Sequence, residues 1–330
     1  MIITRTPYRI SFVGGGTDLR SFYSLNGGAV ISTSLKKYIY VIVKKQIGIV
    51  EHKYRINWSK VEFKNNIDDI EHPIVRETLR KFKIDFPIEI TTIADIPANS
   101  GLGSSSSFAV GLLNALYALK GKMISKYQLA KEASEIEVDI LKRNIGKQDH
   151  FAAAYGNLNY YEFKKNENVI VNPVLINQST RQILENRLLL FFTNMSRDAN
   201  KILKQQNNNP IKYYENLNSI KNLVLPLKTV LETGKNLSFL PRALNENWKI
   251  KKEISKNKQN FKIHSYYKKA LKNGAEGGKL LGAGGGGFLL IYAKKKYHKK
   301  IKNSLNKLYC LPVEFDISGS RITYYDKTSF

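Results

Sequence analysis

The sequence predicts an α+β chain in two lobes, and three observations predict it. With 330 residues and 42% apolar side chains, the chain can bury a sizeable core, and its length favours two domains. Its first half alternates strand-like and helix-like segments. Its second half opens on a strand near Arg187, runs through long helical stretches and closes on further strands. No linker or low-complexity tract interrupts the chain. The boundary is therefore set where the pattern changes, giving domains over residues 1–180 and 181–330.

In order, strands are expected at Ile2–Val13, Tyr38–Val43, Ile49–Ile56 and Ile88–Ile93, where apolar residues alternate or cluster. Helices are expected at Ser104–Leu119 and Lys126–Leu141; in the second, Leu129, Ala133, Ile136, Ile140 and Leu141 recur at helical spacing. Strands follow at Asn157–Phe163 and Val169–Leu175. The second domain should begin with a strand at Leu188–Thr193 and continue through helical stretches from Ala199 to Lys272, with a helix-like Tyr266–Ala275. It should close with a strand (Phe288–Ala293), a helix and a strand ending at Ile317.

The most informative run is Pro97–Ser107, P-A-N-S-G-L-G-S-S-S-S. Gly101 and Gly103 leave backbone N–H groups open to an anion, and the apolar segment after Ser107 makes this the N-terminus of a helix, where unpaired amides and the helix dipole favour phosphate. Pro97, Ser100, Gly101, Leu102, Gly103, Ser104, Ser105 and Ser106 are thus candidate residues for binding a polyphosphate. The hydroxyls of Ser104 to Ser107 are ligands for phosphate or a magnesium ion. Serine is also an ordinary N-cap, but one would serve that purpose and the run has four. It is not a Walker A loop, because no lysine lies between Pro97 and Ala118.

Two more glycine clusters accompany it. Ile2–Asp18 reads as a strand ending in Gly14, Gly15 and Gly16, followed by Thr17 and Asp18. These glycines allow backbone to approach a ligand, Asp18 can accept hydrogen bonds from substrate hydroxyls, and Arg9 can lie over a transferring phosphoryl group; a plain hairpin turn is the structural alternative. Gly282–Gly287, G-A-G-G-G-G, matches the dinucleotide fingerprint, yet a helix-like segment precedes it, a strand follows, and no acid stands about twenty residues on. It reads instead as a loop closing over substrate and phosphates, with Gly284, Gly285 and Gly286 as candidate substrate-binding residues. A fourth, acidic piece is Glu135–Asp149. Asn144 and Gly146 end its helix, which puts Glu137 and Asp149 on separate elements, one carboxylate free to bind a metal and the other to accept a proton.

Composition bounds the partners. A lone cysteine, Cys310, excludes an internal disulfide and a cysteine-built zinc site. No apolar run approaches a membrane span, and M-I-I-T-R-T has no signal-peptide core, so a cytoplasmic enzyme is expected. The net charge of +26 raises nucleic-acid binding, with basic runs at Lys249–Lys258 and Lys294–Lys302. These runs carry apolar positions such as Ile254, Ile301 and Leu305, as solvated helix faces do, and no nucleic-acid module is present.

Together the segments resemble the GHMP kinases, the superfamily of galactokinase, homoserine kinase and mevalonate kinase. The first motif is Pro7, Arg9 and Gly14 to Asp18, the second Pro97 to Ser106, the third Lys279 to Gly287. The wording R-I-S-F-V-G-G-G-T-D, I-G-K-Q-D and K-L-L-G-A-G-G-G-G-F looks like the bacterial D-glycero-D-manno-heptose 7-phosphate kinases. The resemblance implies a ribosomal protein S5 domain 2-like N-terminal lobe and a ferredoxin-like C-terminal lobe, with the site between them. It implies ATP and Mg2+ as cofactors and a sugar phosphate as the partner molecule, with a homodimer the candidate assembly. Asp149 matches the catalytic base, Glu137 the magnesium ligand with Ser104 or Ser105, and Asp18 the acid that holds sugar hydroxyls. Arg9 matches the basic residue over the phosphoryl group; permanently charged, it cannot itself be a base. The implied reaction moves phosphate from ATP to the anomeric hydroxyl of a heptose 7-phosphate, a step toward nucleotide-activated heptose for capsule or lipopolysaccharide. A kinase of another sugar, fucose-like or hexose, and a non-catalytic binding protein of the same fold are the alternatives.

A phosphorylated substrate needs a second anion site. Ser196 and Arg197, between a strand and a helix, are the first candidates, with Arg20, Lys251 and Lys252 behind them. The adenine pocket is left open, with Trp58 and Tyr54 as residues of interest.

Overall fold

The computed structural model describes residues 1–195, 210–254, 259–282 and 285–326. Strand β1 (Ile2–Val13) leads through a glycine turn into helix α1 (Arg20–Asn26) and returns as β2 (Gly28–Lys45). A small hairpin, β3 (Tyr54–Asn57) and β4 (Val61–Lys64), precedes α2 (Pro73–Lys81) and β5 (Ile88–Ala94). Helix α3 (Ser104–Leu119) agrees with expectation at both ends. Next come α4 (Lys126–Ser134), a π-turn over Glu135–Ile140, α5 (Gln148–Tyr155), β6 (Leu158–Phe163), β7 (Val169–Pro173), α6 (Gln178–Arg187) and β8 (Leu188–Phe192). Helices α7 (Pro210–Asn222), α8 (Val224–Thr233), α9 (Phe239–Ile254) and α10 (Gln259–Lys272) lead to β9 (Ala275–Leu280) and β10 (Phe288–Ala293). The chain closes with α11 (His298–Ser304), β11 (Tyr309–Pro312), β12 (Phe315–Asp316) and β13 (Arg321–Tyr325).

Among the described residues the strands form two sheets. A nine-stranded sheet runs β13-β1-β2-β5-β3-β4, with β6 and β12 also on β2 and β7 on β6; a four-stranded antiparallel sheet runs β11-β8-β10-β9. In the second sheet the period of two is visible in the packing. Leu190 and Leu290 join the large core shared with Ile2, Phe12 and Leu112, while Phe191, Leu289 and Ile291 face Ile263 and Ile301 on the other side. Both faces of that sheet are therefore buried, which explains why its strands read as continuous apolar runs. The mixture of sheets and helices agrees with the α+β class predicted from the sequence.

Several expected boundaries shift, for local reasons. β2 is longer than Tyr38–Val43 because Ser32, Thr33 and Ser34 interrupt the apolar pattern yet lie buried between β1 and β6. The expected strand Ile49–Ile56 shrinks to β3, since the chain turns through Gly48 and leaves Ile49 87% exposed. Helix Lys126–Leu141 changes to a π-turn at Glu135. The expected helical segment ends at Lys272, and β9 precedes the glycine loop; Gly277 and Gly278 hid this strand, their missing side chains making room for Pro241 and for the Leu290 carbonyl. We retain the division at 180/181 as a proposal, although β12 and β13 return to the first sheet: β13 pairs with β1, and Met1 N donates to Asp326 O at 3.1 Å.

Candidate active site

The three glycine segments meet at one cavity of about 920 Å³. Gly103 caps α3 at a φ of +79°, a left-handed conformation that lets the turn present α3's first amides to the cavity. A Cβ there would lie 3.1 Å from Asp149 Oδ2 and 3.4 Å from Arg9 Cγ, so the turn is in contact with the charged pair. Gly287, at the end of the third loop, packs directly on the Ser100 carbonyl of the second loop, and its own carbonyl accepts from Thr193 Oγ1 at 2.8 Å. The turns on either side of the cavity are thus neighbours, one from each sheet.

At the centre lies Arg9, 5% exposed. Its Nε donates to Asp149 Oδ1 at 2.6 Å, Nη2 to Asp149 Oδ2 at 2.7 Å and Nη1 to the Gly101 carbonyl at 2.7 Å. This bidentate fork fixes the carboxylate in the first turn of α5 while leaving lone pairs for a ligand hydroxyl. Arg9 N also donates to Leu102 O at 3.0 Å, tying β1 to the serine loop.

The second acid, Glu137, is fully buried in the π-turn, a distortion that commonly accompanies function. Its Oε1 accepts from Ser105 Oγ at 2.5 Å and Arg143 Nη1 at 2.6 Å, and its Oε2 meets His150 Nε2 at 2.8 Å. Burial pushes this carboxyl up, but the bond and charge of His150, the charge of Arg143 and the Ser105 bond outweigh it and hold the group down at about 2. Arg143 Nη1 also reaches Ser105 Oγ at 2.7 Å. One cationic nitrogen thus spans a hydroxyl and an ionised carboxylate, hard oxygen donors of the kind magnesium takes together with waters and phosphate oxygens. Among the described residues no group of three or more His, Cys, Asp or Glu converges as a metal site. A metal here would need a ligand's own oxygens.

Asp18 is 2% exposed. Its Oδ1 accepts from Gly16 N at 2.8 Å and Gln148 Nε2 at 3.1 Å, and its Oδ2 from Gln148 N at 3.2 Å. Burial first, and the charge of Asp149 second, raise its carboxyl above the usual range. Lys279 ties the two sheets together: fully buried, it donates to Ser11 O at 3.0 Å, Phe12 O at 2.9 Å and Asn247 Oδ1 at 2.9 Å. Burial, then Lys251 and Arg9, push its ammonium well below the usual range.

Some expected residues line the cavity and others serve the scaffold. Pro97, Gly101, Gly103, Ser104, Ser105, Ser106, Gly15, Gly16 and Asp18 line it. Ser100 and Leu102 are buried beside it, and Ser107 is spent on the Pro7 carbonyl at 2.9 Å. Gly14 is closely packed on Ala29, and Thr17 Oγ1 donates to Gly14 O at 2.8 Å and Ala29 O at 2.9 Å, so both hold the turn. Gly286 packs on Met195, and neither it nor Gly285 lines the cavity, whereas Gly282 does. Arg20 does not line the cavity: its side chain is 46% exposed and paired with Asp139 at 2.7 Å and Glu167 at 2.8 Å at the start of α1. Lys251 lines the cavity and Lys252 does not. Ser196, Arg197 and Gly284 lie outside the described residues.

Sequence reasoning missed one wall. Trp58, His72 and Phe108 pack in series, the first pair edge-to-face and the second tilted, with ring centroids 4.7 and 4.8 Å apart, and line the cavity with Ile39, Ile74 and Ile96. Burial, followed by the Arg143 charge, holds the His72 ring down at about 4, so it is neutral near pH 7. Buried Glu62 supports this wall, accepting from Trp58 Nε1 at 2.8 Å and His72 N at 3.1 Å. Tyr54 is buried elsewhere, its hydroxyl on Ile84 O at 2.9 Å. Arg143 and His150 were also missed; the signal available was the basic and imidazole side chains flanking the G-K-Q-D segment after Glu137. No described helix is long and apolar enough to cross a membrane.

Comparison with known proteins gives this geometry a family. Residues 71–157 match the GHMP kinases N terminal domain. Over 310 residues the chain is 33% identical to the D-glycero-alpha-D-manno-heptose 7-phosphate kinase of Campylobacter jejuni, covering 90% of this chain and 91% of that protein. A crystal structure of a D-glycero-D-manno-heptose 1-phosphate kinase from Bacteroides thetaiotaomicron has a TM-score of 0.79 at 25% identity, covering 99% of this chain and 100% of that one. Lactococcus lactis galactokinase complexed with galactose shares the fold, with a TM-score of 0.75 at 17% identity over 97% of this chain and 94% of that one. With a near full-length relative above 30% identity, the chain belongs to the GHMP kinases, which take ATP as substrate, and is a sugar kinase.

Proposed function

We propose that this kinase transfers the γ-phosphoryl group of ATP to the anomeric hydroxyl of D-glycero-D-manno-heptose 7-phosphate, giving the 1,7-bisphosphate and ADP. The observation that carries the reading is the Arg9–Asp149 fork packed against Gly103 at the start of α3. It sets a carboxylate that can accept the acceptor hydroxyl's proton beside amides suited to phosphate. The heptose comes from the name of the Campylobacter jejuni relative.

In this mechanism the Trp58–His72–Phe108 wall takes the adenine. The first amides of α3 and the hydroxyls of Ser104, Ser105 and Ser106 hold the phosphates. Arg9 lies over the transferring group, and Asp18 accepts from sugar hydroxyls. The acceptor oxygen forms its bond to Pγ as the bond from Pγ to the bridging oxygen breaks, and the hydroxyl proton passes to Asp149. Ser105 and Glu137 would hold a magnesium ion, which when bound neutralises phosphate charge. The +26 net charge supplies a field for two anionic substrates rather than for nucleic acid.

Asp149→Asn should cut turnover roughly 10²- to 10⁴-fold in a coupled ADP assay while nucleotide still binds by calorimetry. Activity near that of the unaltered enzyme removes Asp149 as the base. A panel of phosphorylated and free heptoses and hexoses should show the heptose 7-phosphate with the highest kcat/KM; a hexose or fucose-like sugar in that place overturns the substrate.

A further inference from the structure

Gly15 lies on the floor of the cavity, and three polar side chains from three elements converge on the space its missing side chain leaves. A Cβ built there would be 3.2 Å from Ser11 Oγ on β1, 3.2 Å from Gln148 Nε2 on α5 and 3.5 Å from Lys251 Nζ on α9. All three residues line the cavity. Ser11 is 4% exposed and Gln148 7%, and among the described residues Ser11 Oγ and Gln148 Oε1 have no hydrogen-bond partner. Buried polar atoms without a partner in the protein are costly, so these two must be met from the cavity, by water in the free enzyme or by a ligand that displaces it.

The donors differ in what they can read. Lys251 Nζ, which also reaches the Gly282 carbonyl at 3.3 Å, brings a positive charge from the second sheet's side. The Ser11 hydroxyl and the second hydrogen of Gln148 Nε2, whose first bond goes to Asp18 Oδ1 at 3.1 Å, are further donors. This set of one cation and two neutral donors suits a phosphate oxygen better than a sugar hydroxyl. The other end of the Gln148 amide, Oε1, is an acceptor and suits a hydroxyl. Gln148 and Asp149 line the same cavity, and the Gln148 amide is bonded to Asp18, so the subsite opens onto the space where the acceptor sugar lies.

We propose that Ser11, Gln148 and Lys251 form the subsite for the phosphate that the acceptor sugar already carries, with Lys251 as the residue that selects a sugar phosphate over the free sugar. This rests on the sugar-phosphate reading given above. Asp18 and Gln148 Oε1 then read the sugar's hydroxyls, and Lys251 reads the charge at its far end.

The test is steady-state kinetics of the unaltered enzyme, Lys251→Met and Ser11→Ala with the heptose 7-phosphate, with the same heptose lacking its phosphate, and with ATP varied in turn. Lys251→Met should raise KM for the sugar phosphate about 10- to 100-fold, as expected for loss of a charge-assisted bond. KM for the free heptose and for ATP should move less than about twofold. Ser11→Ala should shift the sugar-phosphate KM in the same sense by about fivefold. Lys251→Gln, which keeps a hydrogen bond without the charge, repeats the test with a milder change. A folded Lys251→Met protein with unchanged KM for the sugar phosphate overturns the subsite, as does an equal rise for both sugars. An unaltered enzyme that prefers the free sugar refutes the sugar-phosphate reading itself, a result visible before any variant is made.

Discussion

Asp18 and Glu137 are both buried carboxylates in one cavity, yet their titrations are displaced in opposite directions. Glu137 faces Arg143, the His150 ring and the Ser105 hydroxyl, and burial loses to them. Asp18 receives three N–H bonds, from Gly16 and twice from Gln148, but no cation, and it feels the negative charge of Asp149. Neutral donors therefore do not offset burial in this site, whereas positive partners do. The consequence is a division of labour. Glu137 is a standing anion, fit for a cation, while Asp18 is the acid whose charge responds to what binds beside it.

The sharpest way to break this contrast is Glu137→Gln. The carboxyl is lowered from an ordinary 4.5 to about 2, which corresponds to roughly 3 kcal/mol of stability. Because the folded value is depressed, that contribution is fully present above the unfolded value of 4.5 and is lost as pH falls through it toward 2. Urea unfolding at pH 7 should show the variant about 3 kcal/mol less stable. The gap should narrow steadily below about pH 5. Equal stability at pH 7 would mean that Arg143 and His150 do not hold the charge. The same variant should bind magnesium nucleotide more weakly in calorimetry, with little change for metal-free nucleotide.

Asp18→Asn should give a smaller effect with the opposite slope. A folded-state carboxyl raised above its ordinary 3.8 costs nothing below that value, and its penalty grows as pH rises through the folded value. The amide removes that penalty but loses one weak acceptor, since its nitrogen cannot receive the Gln148 N–H at 3.2 Å. The difference in stability between variant and parent should therefore move in the variant's favour between pH 4 and neutrality, whatever its starting value at low pH. A flat difference across that range shows that Asp18 is not raised. In kinetics the variant should raise the acceptor KM and spare that of ATP.

How much of this site the sequence disclosed depended on how local its causes are. Helix α3 was legible because Gly103, four serines and a continuous apolar run lie within 17 residues, Gly103 to Leu119. The rejection of a dinucleotide fold at Gly282–Gly287 was sound for one reason and mistaken in another. A strand does follow the loop, but a strand also precedes it, disguised by Gly277 and Gly278. The π-turn was invisible, because apolar residues on Lys126–Leu141 recur at a spacing that suits an α-helix equally well. The wall of Trp58, His72 and Phe108 has no motif; only the packing of the β3–β4 hairpin and α2 against α3 assembles it. Strand β13 pairs with β1 across almost the whole chain, a contact that no local pattern encodes.

The smallest effect belongs to Arg20, two residues from Asp18, and it sharpens the contrast by asking where charge matters. Asp18 turns inward against Gly146, whose lack of a side chain makes room for the carboxylate. Arg20 starts α1 and reaches outward to Asp139 and Glu167, whose side chains are 36% and 44% exposed. Solvent screens such pairs, and each contributes about 0.2–1 kcal/mol. Arg20→Ala should therefore lower stability by no more than about 1 kcal/mol in urea, more at low salt than at high. It should leave the acceptor KM within about twofold, while Lys251→Met moves it by the larger factor given above. If Arg20→Ala instead raised the sugar-phosphate KM as strongly as Lys251→Met, the acceptor's phosphate would lie on α1's side of Asp18. The positive charge that matters would then be the exposed one, and burial within the cavity would no longer be what separates the acids and bases that act from those that only decorate the surface.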